Sequence, residues 1–419
     1  VKVDLEYARF ADRLAAGGIL RDPWIDGSPR FRLEPVVVSA PRYAELGRAA
    51  EETAAACHAL ASLLGADARL LDEGLGLTPV QRALWAVSAP AWHGIARTDV
   101  FVTATGLAVA EINCDTPTGE AEAVVLGALT DGDDATFDPN RTLRERFLAM
   151  LAYVARRERS AEAGPARVVG VVYPTELTDD LPLVRLYRRW LEDAGFAVVL
   201  GSPYNLTFDG RRARLFDEPV DVLVRHYKTD WWGERESVWR DCTVADAAPL
   251  EGPLRAMLAA MAAGTLAVIN PLGSVALQNK RAFALLWEHL GRLPPEARAA
   301  VERYIPLTRR LEVMHAAELI AQREDWVIKS DYGAEGEEVL VGRDVDAATW
   351  RLALDRARPR RWVAQRRFAP ETDAEGAAVN YGVYLVGGRA SGLYARVQAG
   401  ATDARAMSAA ARVQIEPGP

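Results

Sequence analysis

The residues best equipped for chemistry lie in one stretch, Arg97-Thr-Asp-Val-Phe-Val-Thr-Ala-Thr-Gly-Leu-Ala-Val-Ala-Glu111-Ile-Asn113-Cys-Asp115. Two alternating runs flank Ala104-Thr105-Gly106, which predicts a β-hairpin closed by those three residues. In that register Asp99 faces Glu111 and Arg97 faces Asn113, while Val100 meets Ala110 and Val102 meets Ala108 on an apolar side. Like charges directly opposed across a strand pair are destabilising, so something positive belongs between the two acids. A hard divalent cation fits. Two carboxylates and the Asn113 amide oxygen leave room for water and phosphate oxygens, the mixture Mg2+ takes. The alternative is that Asp99 and Glu111 are solvated residues balanced by Arg97.

Two lysines extend the pattern. Lys280 and Arg281 fall in the first turn of a helix whose core side is Phe283, Leu286, Trp287 and Leu290. Cations are disfavoured at that end of the macrodipole, and an anionic ligand would reverse the sign; an exposed basic pair whose cost is tolerated reads equally well. Further on, Trp326-Val-Ile-Lys329-Ser-Asp-Tyr-Gly333-Ala-Glu-Gly336 predicts a strand leading into a glycine-bearing turn. Gly333 and Gly336 would let backbone N–H groups approach a phosphate chain, with Lys329 as a point charge beside it. No G-x-x-x-x-G-K-[ST] loop occurs.

These groups need a scaffold, and the chain is long enough to build one. At roughly 150 residues per domain, 419 residues make about two to three units. With 50 Lys+Arg against 58 Asp+Glu and half the residues hydrophobic, the chain reads as globular. A pI near 5.4, with no dense basic block, argues against nucleic acid as the partner. Cys57, Cys114 and Cys242 are too scattered for a metal knuckle or disulfide framework, and the first residues lack a signal-peptide layout, so a cytoplasmic location is expected. The uncharged run between Arg255 and Lys280 is broken by Gly264, Asn270, Pro271 and Gly273, so it reads as a buried helix and strand and no membrane span is expected.

Leu46, Ala50, Thr53, Cys57, Ala61 and Leu64 predict an amphipathic helix stopping before Gly65, with His58 as a helix residue of no special role. Val168–Val172, a helix through Leu183, Tyr187 and Leu191, and a strand Phe196–Leu200 form a β-α-β unit, and Val220–Val224 and Leu266–Ile269 add strands. No dinucleotide fingerprint follows the first of them. The expected division is 1–164 for N-terminal helices plus the acidic hairpin, 165–275 for a small parallel α/β unit, and 276–419 for mixed helix and antiparallel strand bearing the glycine loop.

With these motifs in order, the sequence resembles the glutathionylspermidine synthase family, a circularly permuted branch of the ATP-grasp ligases. The resemblance rests on Arg97, Asp99, Glu111, Asn113 and Asp115, and on Asn270-Pro271 through Asn279-Lys280. It extends to Lys329 through Gly336, to Trp362-Val-Ala-Gln365, and to a closing strand pair from Asn380 to Arg396. It implies an α+β, ATP-grasp-like fold with a small parallel α/β layer of pre-ATP-grasp type. It further implies that Asp99, Glu111 and Asn113 hold two Mg2+ ions on ATP, that Lys280 and Lys329 contact phosphates, and that Gln365 borders the adenine. Arg396 would join the nucleotide-binding set, and Arg97 would stabilise the acyl phosphate and the tetrahedral species. The thiol-amidase domain that the best-known bacterial members carry is not among these residues, so hydrolysis is not expected.

The implied reaction joins a carboxylate to an amine: ATP phosphorylates the acid and the amine displaces phosphate from the acyl phosphate. The identity of acid and amine stays open, glutathione and polyamines included, and no general base is evident. Trp231 and Trp232 could line the substrate end or simply pack, and Asp230 and Glu234 could recognise an amine. Two other readings are a phosphotransferase using the same phosphate apparatus and a degenerate ATP-binding module acting with a partner protein.

Overall fold

Ser39-Ala-Pro41 starts the longest helix, Ala40–Ala66. The Ser39 side chain accepts from the Arg42 amide, and proline occupies the first turn, where its missing N–H has no intrahelical partner to lose. The buried face is built of small residues, among them Ala49, Ala50, Ala56, Cys57 and Ala61, interleaved with Leu46, Leu60 and Leu64. That narrow face lets the helix lie close against helix Pro295–Tyr304 and against the strands Ala377–Val386 and Arg389–Ala399. His58 is exposed on the opposite side. The computed structural model describes residues 5–130, 135–235, 248–333, 338–358, 361–400 and 405–415. Gly336 and Cys242 lie outside these described residues.

Three sheets surround the region where the chemistry-bearing residues gather. The first is antiparallel and five-stranded, in the order Met407–Ala409, Arg389–Ala399, Ala377–Val386, Ile95–Thr103, Gly106–Asn113. The acidic hairpin is thus completed by strands from the far end of the chain. The second sheet is parallel, in the order Ala267–Ile269, Val222–Arg225, Val168–Val172, Ala197–Gly201. Val222, Leu223 and Val224 at its centre are buried, as expected of a strand covered on both faces. The third is antiparallel, in the order Thr308–Arg310, Trp362–Arg366, Trp326–Ser330, Val339–Val341, and helix Ala347–Ala357 covers it with Trp350 and Leu354.

The architecture is α+β. The uncharged run after Arg255 divides into helix Glu251–Ala262, strand Ala267–Ile269 and the short helix Ser274–Gln278. Among the described residues no helix is long and apolar enough to cross a membrane.

The hairpin departs from the expected register in an informative way. Arg97 pairs with Asn113 and Asp99 with Glu111, but Val100 then pairs with Val109 and Val102 with Leu107, with Thr103 opposite Gly106. The turn is therefore Ala104-Thr105 alone, and Ala110 is the extra residue of a bulge. A tight turn without the bulge would still have paired Asp99, but with Ala110. The bulge restores the acid-on-acid alignment, and the Ala110 carbonyl accepts from the Lys329 ammonium at 3.5 Å and the Gln365 amide at 3.4 Å.

Candidate active site

The site is built where the three sheets meet around a cleft of about 1470 Å3. On the five-stranded sheet, Asp99 is 1% exposed and both its oxygens are held by cations. Arg97 donates from Nε to Oδ1 at 2.7 Å and from Nη2 to Oδ2 at 3.1 Å, and Arg396 donates from Nη2 to Oδ2 at 2.8 Å. Asn380 Nδ2 adds a contact at 3.4 Å. Buried, forked pairs of this kind are costly to break, about 3–5 kcal/mol when one partner is removed. Burial would lower the Arg97 pKa, but the Asp99 charge and hydrogen bond outweigh it and raise it, so the guanidinium stays charged. Gly382 lies directly across from Asp99, and a Cβ there would sit 2.7 Å from Arg97 Cδ; the glycine makes room for the arginine.

A second group gathers around Glu111. Its Oε1 accepts from Asn113 Nδ2 at 3.2 Å, and its Oε2 lies 3.6 Å from Lys280 Nζ. Burial pushes the Glu111 carboxyl up, but the charges of Lys280, Lys329 and Arg97 prevail and hold it at about 2. Lys329 donates to Gln365 Oε1 at 2.8 Å from the adjacent strand. Burial brings the Lys329 ammonium down to about 8, with Glu111 opposing that fall. The positive charge expected between the acids is thus supplied by arginines on Asp99 and by lysines beside Glu111.

The glycine loop is tied to the same place. Lys280 Nζ donates to the Gly333 carbonyl, and its amide donates to the Asp331 carbonyl at 2.9 Å. Lys280 stands just ahead of helix Arg281–Glu288, whereas Arg281 turns the other way, buried, donating to the Gly74 carbonyl and pairing with Glu312. The basic pair therefore splits. One member reaches Glu111 and the recess beside the cleft, and the other is structural rather than exposed. Beside the lysines a smaller recess is lined by Phe283, Thr308, Val363 and Gln365, an apolar slot with amide and hydroxyl edges.

The structure thus brings Arg97, Asp99 and Arg396 together, and Glu111, Asn113, Lys280, Lys329, Gly333 and Gln365 together, with the Asp99–Glu111 pairing joining the two groups. Among the described residues no trio of His, Cys, Asp or Glu side chains converges as a self-sufficient metal site. The hairpin set is two carboxylates and an amide, all hard oxygen donors. It fits a cation that takes its remaining ligands from phosphate and water.

Sequence reasoning missed what fixes the hairpin in place. Asp115 accepts from Arg225 Nη2 at 2.6 Å, from the Thr229 amide at 2.7 Å and from the Thr229 and Ser274 hydroxyls. Asn270 clamps both ends of the hairpin: Oδ1 accepts from the Gly94 and Ile95 amides, and Nδ2 donates to the Ile95 and Asp115 carbonyls. The motif spacing marked Asp115 and Asn270, but the contacts join distant segments: Asp115 is held by Arg225, Thr229 and Ser274, and Asn270, just past the parallel strand Ala267–Ile269, reaches back to the hairpin. Of the residues offered for amine recognition, Glu234 is engaged by Thr78 and Gln81, whereas Asp230 lines the cleft. Trp232 is buried in the core, and Trp231 lines the cleft with Lys228 and Arg235 over its ring.

A family model described as glutathionylspermidine synthase preATP-grasp matches residues 37–411. No curated protein matches the sequence. Among solved structures, a protein assigned as a gamma-glutamylcysteine synthetase from Methylobacillus flagellatus KT is similar at 14% identity and TM-score 0.47, over 84% of this chain and 87% of that one. A RimK domain ATP-grasp protein from Sphaerobacter thermophilus DSM 20745 is similar at 19% identity and TM-score 0.31, over 55% of this chain and 85% of that one. The carboxyaminoimidazole ribonucleotide synthase of Aspergillus clavatus, complexed with ATP, is similar at 16% identity and TM-score 0.29, over 52% and 54%. Each is a distant and partial likeness.

Proposed function

The chain belongs to the glutathionylspermidine synthase preATP-grasp family, and on that footing we propose that it is an ATP-dependent carboxylate–amine ligase working through an acyl phosphate. The observation that carries the reading is the meeting of Glu111, Asn113 and Lys329, with Lys280 against Glu111 from the adjoining recess, in a cleft that Arg97 also lines. A nucleoside triphosphate needs concentrated positive charge and hard oxygen donors side by side, and few other ligands need both. Lys280 and Lys329 would hold phosphate oxygens, with Gly333 positioned by Lys280 along the chain of phosphates. Gln365 and the adjoining recess would take the adenine edge and face.

Glu111, Asn113 and Asp99 are the residues that would hold Mg2+. The ion, when bound, would neutralise phosphate charge and leave the terminal phosphoryl group open to the attacking carboxylate. Arg97 and Arg396 crowd Oδ2 of Asp99, whereas Oδ1 accepts from Arg97 alone and keeps a lone pair for a cation, and full access to the carboxylate would come with Arg97 letting go. A freed Arg97 is then available to the oxygen that gains charge as the carboxylate is phosphorylated and as the amine adds. The acidic and basic side chains farther along the cleft leave the acid and the amine to be found by assay, with short γ-glutamyl peptides and polyamines as the first to try.

The test is release of ADP and phosphate with magnesium-ATP across a matrix of carboxylates and amines, with Glu111→Ala as the blank. An active pair should stimulate both products in the wild type and neither in the variant. ADP release at the wild-type rate by Glu111→Ala would remove the metal and phosphate assignment. ADP appearing without free phosphate would point to a phosphotransferase instead.

A further inference from the structure

Amide formation leaves one problem that the phosphate end of the cleft cannot solve. An amine that attacks an acyl phosphate carries a proton that must go somewhere, and the nearby Arg97, Lys280 and Lys329 are donors. Farther along the cleft stands an imidazole. Strand Val222–Arg225 ends at the carboxyl edge of the parallel sheet, the edge where α/β sheets present their ligands. The next residue is His226, whose amide donates to the Val172 carbonyl at 2.8 Å and so extends the parallel pairing one step past the strand. The side chain is 6% exposed and lines the cleft.

Its surroundings are those of an oriented base. Nε2 lies 3.1 Å from Oδ1 of Asp180, the residue that precedes helix Leu181–Asp193, and Asp180 lines the same cleft. A carboxylate against Nε2 favours the tautomer with its proton there and leaves a lone pair on Nδ1. Among the described residues no hydrogen bond engages that Nδ1. Glu120, at the start of helix Glu120–Leu129, connects this corner with the catalytic arginine: its carboxyl answers electrostatically to both Arg97 and His226. Burial pushes Glu120 up to about 7; Tyr187 donates to one of its oxygens at 3.2 Å, while the other is buried without a partner among the described residues. The charged and titratable groups against His226 are Asp180 from the start of one helix and Glu120 from another, with Tyr187 and Arg97 beside Glu120, while Glu122, paired with Arg30, answers to Asp180. Asp230, another cleft carboxyl without an ion pair among the described residues, answers to Asp115 and Lys228 instead.

We propose that His226, oriented by Asp180, is the general base that takes the proton of the attacking amine. The inference rests on the ligase reading above. The amine arrives as its free base and its lone pair forms the C–N bond to the acyl carbon. The N–H proton passes to Nδ1 of His226, and collapse of the tetrahedral species breaks the C–O bond, with the electron pair leaving on phosphate. The imidazolium then returns the proton to the departing phosphate or to water. His226 touches the reacting amine in this scheme, and Asp180 is a positioning residue.

The experiment uses two nucleophiles. Hydroxylamine is largely unprotonated at neutral pH and traps acyl phosphates without help from a base, so hydroxamate reports the first half-reaction. Amide from the amine panel reports the second. Wild type, His226→Gln, Asp180→Asn and Asp230→Asn are run with magnesium-ATP and the carboxylate matrix. In His226→Gln, hydroxamate should stay within about threefold of wild type while amide falls by about 10²–10⁴, the range of general base catalysis. Asp180→Asn should lower the kcat for amide by at least about tenfold while the KM for the amine and the hydroxamate rate stay within about threefold of wild type, the split expected of a residue that orients the base. Amide formation by His226→Gln within about threefold of wild type, or equal loss of hydroxamate and amide, would overturn the assignment, and selective loss in Asp230→Asn would transfer it there. If the wild type makes neither hydroxamate nor amide with any carboxylate, the ligase reading itself falls and this inference with it.

Discussion

Asp115→Ala would remove the peg that holds the acidic hairpin against the parallel sheet. The carboxylate is buried and accepts from Arg225, from the Thr229 amide and hydroxyl, and from Ser274, while the Arg225 side chain is wholly buried. Truncation leaves that guanidinium with neutral partners alone, the Tyr227 and Asn270 carbonyls and the Ser274 hydroxyl, its Nε already lacking a partner among the described residues. An uncompensated buried charge costs about 3–5 kcal/mol, a large share of a total stability of about 5–15 kcal/mol. Replacing both partners by apolar groups, Asp115→Leu with Arg225→Met, should recover most of the loss, since a buried pair exchanged for hydrophobic packing is often near neutral. Urea denaturation of wild type, single and double variants measures it.

The same carboxylate predicts a pH dependence. Burial raises its pKa, but the Arg225 charge and the bonds from Ser274 and Thr229 outweigh that and hold it below the ordinary value. Its contribution is therefore complete above the unfolded value of about 4 and disappears as pH falls through the lower folded one. Asp115→Ala should lack this acid-side component. A single variant losing less than about 1 kcal/mol, or a double variant as unstable as the single, would refute the reasoning about the buried pair.

Two further substitutions separate nucleotide binding from catalysis. Lys329→Met removes a buried ammonium bonded to Gln365 and facing Glu111, and should weaken ATP binding by about 10- to 100-fold, the worth of one charge-assisted contact; calorimetry showing unchanged affinity would contradict its role. Gly382→Ala places a Cβ 2.7 Å from Arg97 Cδ. It should leave ATP affinity within about twofold while ADP release drops at least about tenfold, since a misplacement near 1 Å can cost that much or more; unchanged turnover would show that Arg97 need not lie where it does.

The parts of this molecule legible in its sequence are those carried by local pattern. Alternation disclosed the hairpin and put Asp99 opposite Glu111, and apolar runs between turn signals disclosed the parallel strands. The bulge at Ala110 was not legible, because what stabilises it, Lys329 and Gln365, lies on another sheet far along the chain. The division of labour between Lys280 and Arg281 was invisible for the same reason: Glu312 and the Gly74 carbonyl decide which of the pair turns inward. His226 and Asp180 have no spacing that marks them, since only the crossover of the parallel sheet brings them side by side. Asp115 was noticed as part of a motif, but its task is set by Arg225, Thr229 and Ser274.

The bulge also has a practical side. The turn at Ala104-Thr105 sets the outer pairing from Thr103 opposite Gly106 to Val100 opposite Val109, the bulge resets it before Asp99 and Glu111, and the tip itself is exposed. A short label or epitope spliced between those two residues would ride at the end of a rigid arm whose other end carries Glu111 and Asn113. A fluorophore there would travel with the hairpin, and could report its movement against the lysine-bearing sheet without altering a residue of the cleft.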